Sequence, residues 1–263
     1  MISDVRSPDD PRLADYAHVG DPAWLARRGL FVAEGRLVVR RLLESGRFVT
    51  RSVLVTPPAF AALQEVLDGA RCSVYRCEQQ TLDAVSGINF HRGCLAIAER
   101  PAAGTSPLAL SDARRLLALE GVGNPDNLGG LFRVAAAFEA GGVLLDRSSG
   151  DPLHRKAIRT SMGAALCVPF ARVDPWRDGL DALRGQGFHL VALTPDASAI
   201  PLSRYAATVA PERRLVLMLG AEGAGLSAPS LEAADTRVRI PIAADVDSLN
   251  VVVAAGIALA ALR

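Results

Sequence analysis

Lysine is nearly missing from this chain: Lys156 is the one lysine among 29 Lys and Arg residues. Arginine forks suit phosphate recognition, although a GC-rich genome explains the bias as simply. Cysteine is scarce too. Cys72, Cys77, Cys94 and Cys167 show no CxxC spacing, which excludes a zinc ribbon and a disulfide scaffold and leaves buried reduced thiols as the expectation. The four histidines (His18, His91, His154, His189) are scattered and form no ligand pair or triad, so no metal is expected. No apolar run reaches the roughly 18–20 residues of a membrane span, the longest candidate being Val251–Leu262. The opening MISDVRSPDD has neither the basic stretch nor the apolar core of a secretory leader. A cytoplasmic protein with no membrane partner is expected.

What is present is a globular composition. Of 263 residues, 50% are apolar and 22% charged, which excludes disorder, while the net charge of +1 neither supports nor excludes a nucleic-acid partner. Charge is uneven locally. Between Asp21 and Thr56, Arg27, Arg28, Arg36, Arg40, Arg41, Arg47 and Arg51 face only Asp21, Glu34 and Glu44, a pattern that fits either a polyanion footprint or a solvated helix face.

Pro, Gly, Ser and Ala without periodicity in ERPAAGTSPLALSD predict a linker, placed at residues 101–112, between a domain at 1–100 and a domain at 113–263. In the first, a helix is expected over Phe31–Ser45, then strand, helix, strand, helix, strand up to Ala98. In the second, apolar runs such as LVLML and LVAL alternate with amphipathic stretches in the βα manner of a doubly covered parallel sheet. Helices are expected over Leu128–Ala140, Pro152–Ala165 and Ser248–Leu262. Both domains are therefore read as α/β.

Three loops of the second domain place glycine and small polar residues directly after a strand, where open α/β sheets bind ligands. The first is GVGNPDNLGGLFR (Gly121–Arg133). Gly121 and Gly123 begin a dinucleotide fingerprint that Asp126 breaks, which leaves a nicotinamide dehydrogenase remote. Asp126 or Asn127 is a candidate helix cap, and Arg133 is expected near the helix start, where its charge opposes the dipole and calls for an anion. The second is GAEGAGLS (Gly220–Ser227), with Glu222 its one acid. The third, IPIAADVDSLN (Ile240–Asn250), leads into an apolar helix that must be buried in a core or an interface, with Ser248 as a plausible cap.

Taken together, N-x-x-G-x-x-x-R in DNLGGLFR, GAEGAGLS and IPIAADVDSLNVVVAAGI resemble, in order, the motifs of the SpoU/TrmH branch of the SPOUT RNA methyltransferases. DPLHRKAIRTSMGAALCVPF (Asp151–Phe170) is similar to that family's segment between its first two motifs. FVAEGRLVVRRLLESG resembles the start of a small ribosomal-protein-like RNA-binding domain. The resemblance implies a parallel-sheet catalytic domain with a deep trefoil knot, S-adenosylmethionine as methyl donor, a ribose 2′-hydroxyl of rRNA or tRNA as acceptor, and a homodimer through the C-terminal domain. By motif it implies catalytic roles for Asn127, Arg133, Glu222, Ser248 and Asn250, with Asn127 orienting Arg133 or the target. Gly220, Ile240 and Leu249 would contact the cofactor, and Thr194 at the end of LVALT joins them. Arg36 and Arg40, with Arg155 and Arg159 at helical spacing, are expected to hold RNA phosphates. A non-catalytic RNA-binding or ribosome-assembly factor that keeps the fold is the alternative.

Overall fold

A computed structural model describes residues 2–87, 93–101, 110, 112–210 and 213–263. Most of the expected linker, and His91, lie outside the described residues. The elements are, in chain order, β1 (Ile2–Asp4), a 3-10 helix (Pro11–His18), α1 (Pro22–Arg27), β2 (Leu30–Glu34), α2 (Arg36–Ser45), β3 (Thr50–Val55), α3 (Pro57–Asp68), β4 (Ser73–Arg76), α4 (Gln79–Ser86) and β5 (Cys94–Glu99). They continue with β6 (Arg115–Glu120), α5 (Pro125–Ala137), β7 (Gly142–Leu145), α6 (Arg155–Thr160), α7 (Ala164–Cys167), β8 (Phe170–Arg172), α8 (Trp176–Gly185), β9 (His189–Leu193), β10 (Ile200–Pro201), α9 (Leu202–Ala206), β11 (Leu215–Gly220), α10 (Ala228–Ala233), β12 (Thr236–Arg239) and α11 (Val251–Ala261). No helix among the described residues is long and apolar enough to cross a membrane.

Two compact units emerge: Met1–Ala102 with Pro152–Cys167, and Ala103–Asp151 with Val168–Arg263. The first holds a mixed sheet in the order β1-β4-β3-β5-β2. Its core gathers Leu13, Tyr16, Leu30, Val32, Leu54, Leu95 and Ile97. Phe31–Glu34, expected as the start of a helix, is instead strand β2, paired antiparallel with β5. Gly35, at φ 94, breaks the chain there, and α2 begins one residue later. Short apolar runs do not distinguish strand from helix by period alone.

Segment 152–167, placed by sequence in the second domain, belongs to the first unit. Arg155 explains part of this: its Nε and Nη2 both donate to Glu34 Oε2 at the end of β2, at 3.0 and 2.9 Å, in a half-buried pair. Arg41 Nη1 donates to the Met162 carbonyl at 2.7 Å. The single helix expected over Pro152–Ala165 is split into α6 and α7, because Met162 and Gly163 turn left-handed at φ 53 and 87. Cys72, Cys77 and Cys94 are buried and outside any disulfide, whereas Cys167 is exposed.

The second unit holds an all-parallel sheet in the order β10-β12-β9-β11-β6-β7-β8. Leu116, Ala118, Leu190, Ala192, Val216 and Met218 point to one face and pack with Leu180, Leu183 and Ala233 of α8 and α10. The alternate residues Leu117, Leu119, Val191 and Leu217 are equally buried, as a sheet covered on both faces requires. Because β6 leads outward to β7 and β8 while β9 to β12 fill the other side, the strand order reverses between β6 and β11. Such a reversal opens a crevice at the carboxyl ends of the strands.

Candidate functional site

At that end lies a cavity of about 470 Å³, within the usual size for a small-molecule site. It is lined by the chain after β9 (Leu193–Pro195), by the glycine loop after β11 and by the chain from Ile240 into α11. Thr194, Gly220, Ile240 and Leu249, the four residues expected at the cofactor, all line it, and so do Glu222 and Ser248. Asp247 also faces the cavity, which sequence reasoning missed. Its signal was its place directly before SLN.

The glycine loop is folded tightly on itself. Gly225 N donates to the Ala221 carbonyl at 2.9 Å, and Gly220 has backbone of Gly225 and Leu226 where a side chain would stand. Glu120, ending β6, anchors the far side of the loop: Ser227 donates to it through N (3.0 Å) and Oγ (2.6 Å).

The first loop does not line the cavity. It joins the site through one amide. Asn250 Nδ2 donates to Asn127 Oδ1 at 3.0 Å and to Glu222 Oε1 at 2.9 Å, so a single side chain of the third loop ties the first loop's helix to the glycine loop. Asn250 Oδ1 accepts from Val252 N at 2.9 Å and caps α11. The cap is thus Asn250, not Ser248. Gly130 lets α5 and α11 come close, since a Cβ there would lie 2.7 Å from Val252.

Two expectations for α5 need correction. Its cap is Asn124, accepting from Asp126 N, with Pro125 at the first helical position. Arg133 therefore sits on the third turn, beyond the reach of the N-terminal dipole. Asn127 spends its oxygen on Asn250 and makes no hydrogen bond to Arg133. Arg133 is exposed, meets no hydrogen-bond or ion-pair partner among the described residues, and is not part of the cavity wall of its own chain.

Asn250→Ala should loosen the tie between the first and second loops and also destabilise, because the lost cap alone is worth about 1 kcal/mol. Thermal unfolding separates the two effects: a variant with an unchanged melting temperature would refute the capping role.

Asp146, in the turn after β7, buttresses the first loop. It accepts from Gly121 N (3.0 Å), Ser149 N (2.8 Å) and Ser149 Oγ (2.6 Å), and also from Ser148 Oγ. Arg172 donates to the carbonyls of Asp146, Ser149 and Gly150. Burial pushes the Asp146 carboxyl up, but the Ser148, Ser149 and Gly121 donors outweigh it and hold it below the ordinary carboxylate value. A carboxylate lowered in this way stabilises fully above its unfolded value, near pH 4, and loses that contribution as pH falls through the folded one. Asp146→Ala is expected to cost about 1–3 kcal/mol at pH 7. In urea unfolding the gap from the parent should shrink toward pH 3, and a gap constant with pH would count against the assignment.

The model of the SpoU rRNA Methylase family matches residues 114–260. An uncharacterized tRNA/rRNA methyltransferase of Mycobacterium bovis is 40% identical over 261 residues, covering 98% of this chain and 90% of the relative. A 23S rRNA (guanosine-2'-O-)-methyltransferase from a Burkholderia species is 34% identical over 194 residues, covering 72% of this chain and 76% of the relative. Among solved structures, an AdoMet-bound rRNA methyltransferase from Sinorhizobium meliloti superposes with a TM-score of 0.81 at 25% identity, covering 100% of this chain and 97% of that one. The α/β unit with its parallel sheet and crevice is that of an RNA-directed methyltransferase. The chain belongs to the SpoU rRNA methylase family.

The cavity fits S-adenosylmethionine. Its only charged lining residues are Glu222 and Asp247, which favours a ligand carrying positive charge, and its glycine walls offer backbone groups to a base and a ribose. Among the described residues no cluster of His, Cys, Asp or Glu could hold a metal.

Proposed function

We propose that this protein is an S-adenosylmethionine-dependent methyltransferase acting on the ribose 2′-hydroxyl of a nucleotide in structured rRNA or tRNA. The observation that carries the reading is the Asn250 amide, which binds Asn127 and Glu222 together at the mouth of a cavity that fits the cofactor. The Burkholderia relative's ribose chemistry supports the acceptor.

S-adenosylmethionine supplies an electrophilic methyl group on a cationic sulfur. Thr194, Gly220, Ile240 and Leu249 hold it, while Ser248 and Asn250 fix the third loop. Glu222 and Asn127, joined by Asn250, keep the first two loops in register. The ribose hydroxyl is a weak acid whose oxygen gains negative charge as it attacks. Guanidinium groups keep their proton in proteins, so Arg133, which lies outside the cavity of its own chain, would act from the second copy of the homodimer proposed below, positioning the phosphate and stabilising that oxygen rather than removing its proton.

The reading extends to assembly. Val253 and Ile257, one turn apart on α11, are 51% and 41% exposed, an uncovered apolar strip that suits a homodimer contact through the C-terminal unit. A trefoil knot over the stretch from β12 through α11 goes with the insertion of β12 between β9 and β10. A cytoplasmic location goes with the RNA substrate.

The first unit is proposed as the RNA-binding part, with a changed cast. Arg155 is committed to Glu34. Arg40 donates to the Ala62 carbonyl and pairs with Glu44. Arg36 and Arg159 are exposed with no such partner among the described residues. Alanine at either of these two should lower the salt slope of RNA binding by about 0.7–0.9, whereas Arg155→Ala should chiefly lower the melting temperature. A salt slope that falls equally for all three would reverse the assignment of Arg155.

The activity is tested by transfer of labelled methyl groups into total RNA from a deletion strain, followed by nucleoside analysis. A 2′-O-methyl nucleoside is expected. Base-methylated product would overturn the acceptor, and absence of both cofactor binding and transfer would favour a non-catalytic factor.

A further inference from the structure

The opposite end of the second sheet holds a separate cavity of about 350 Å³. Arg114, just before β6, and Arg115, its first residue, line it together with Phe138, Glu139, Gly141 and Arg263. It shares no wall residue with the cofactor cavity. The five steps of β6 from Arg115 to Glu120 put the two roughly 16 Å apart along the strand.

Its three guanidiniums differ from several others of the unit. Arg172, Arg184 and Arg214 each donate to carbonyl or carboxylate oxygens of their own chain. Arg114, Arg115 and Arg263 donate to none among the described residues, and Arg115 Nε is buried without any partner. A buried donor left unmade costs free energy. Three like charges around one hollow also repel one another, and Glu139 is the one acidic side chain among the lining residues. That carboxylate is itself unpaired among the described residues and is held at the rim on a left-handed backbone at φ 55. Gly141 forms the tight side of the hollow, since a Cβ there would collide with Ala113. Forked donors around a concave, net positive pocket match the oxygens of a phosphate group.

We propose that Arg114, Arg115 and Arg263 form an anion site for a phosphate group, outside the methyl-transfer site. Its source is either a phosphodiester of bound RNA or free phosphate. The first source rests on the RNA reading above, and the site itself does not.

The test uses the full chain and the Arg114→Gln/Arg263→Gln double variant, which leaves half-buried Arg115 in place. A labelled stem-loop RNA is titrated over a range of salt, and inorganic phosphate is titrated by calorimetry. If the source is RNA, the salt slope falls by about 1.4–1.8 in the double variant. If it is free phosphate, the slope holds, while the parent binds phosphate saturably and the variant does so about tenfold more weakly. Glu139→Gln should tighten whichever ligand binds. An unchanged slope with no saturable phosphate binding overturns the proposal. S-adenosylmethionine binding at the far end of the strands is the control for folding. Its failure in the parent would refute the methyltransferase reading and leave the anion site standing.

Discussion

Arg133→Ala should lower methyl transfer by about 10²–10³-fold, the usual consequence of removing one donor aimed at developing charge, while S-adenosylmethionine affinity stays within about twofold of the parent. The split follows from placement. Arg133 projects from the third turn of α5, exposed, without a partner among the described residues and outside the cofactor cavity of its own chain. A residue so placed has no ground-state contact to lose with the cofactor. Arg133→Lys should rescue little, because a single ammonium does not reproduce the planar fork that meets a phosphate and an alkoxide together. Folding should be untouched, since an exposed side chain without partners contributes little to stability. Cofactor affinity falling in step with turnover would show that Arg133 shapes the cavity instead.

Gly220→Ala should weaken cofactor binding strongly. The added methyl group would stand where the Gly225 carbonyl and Leu226 N already are, and backbone cannot swing aside as a flexible side chain can. The loop must open, breaking the Gly225 to Ala221 hydrogen bond and the cavity wall it forms. Overpacking of this kind costs about 1–3 kcal/mol, so calorimetry should show affinity for S-adenosylmethionine weakened by up to about 100-fold. Gly223→Ala is the informative partner. Gly223 has a left-handed backbone at φ +84 and open space around its Cα, so only conformational strain is added and the loss should be near tenfold or less. Equal losses in the two variants would remove the steric argument.

Much of the second unit was legible before any coordinates. LVLML and LVAL are long apolar runs with turn residues on either side, and a parallel sheet buried on both faces demands them. The cavity wall was legible in part because two of the three loops rich in small residues, those after β11 and β12, line it. Cap positions were less so. Asp126, Asn127 and Ser248 are all good capping types, yet Pro125 moves one boundary upstream and Asn250 sets the other through its side chain. What sequence could not reveal is who pairs with whom over distance. Arg155 has the spacing of a phosphate-binding residue, and only the folded chain brings Glu34, 121 positions away, to occupy it. Nor does any local signal mark the split at Met162 and Gly163, since left-handed methionine is rare.

The excursion of residues 152–167 has an evolutionary corollary. The two units are joined at three places along the chain, at 102/103, 151/152 and 167/168, not by one tether. A fragment beginning at residue 113 would keep the excursion but lose β2 and α2, the elements against which it packs, and would expose the now-buried Ala157, Ile158 and Leu166. Such a fragment should be prone to aggregate. Exchange of the N-terminal unit between relatives by simple recombination at the linker is correspondingly disfavoured: a transplanted partner has to bring a matching acid for Arg155 and a surface moulded to α6 and α7.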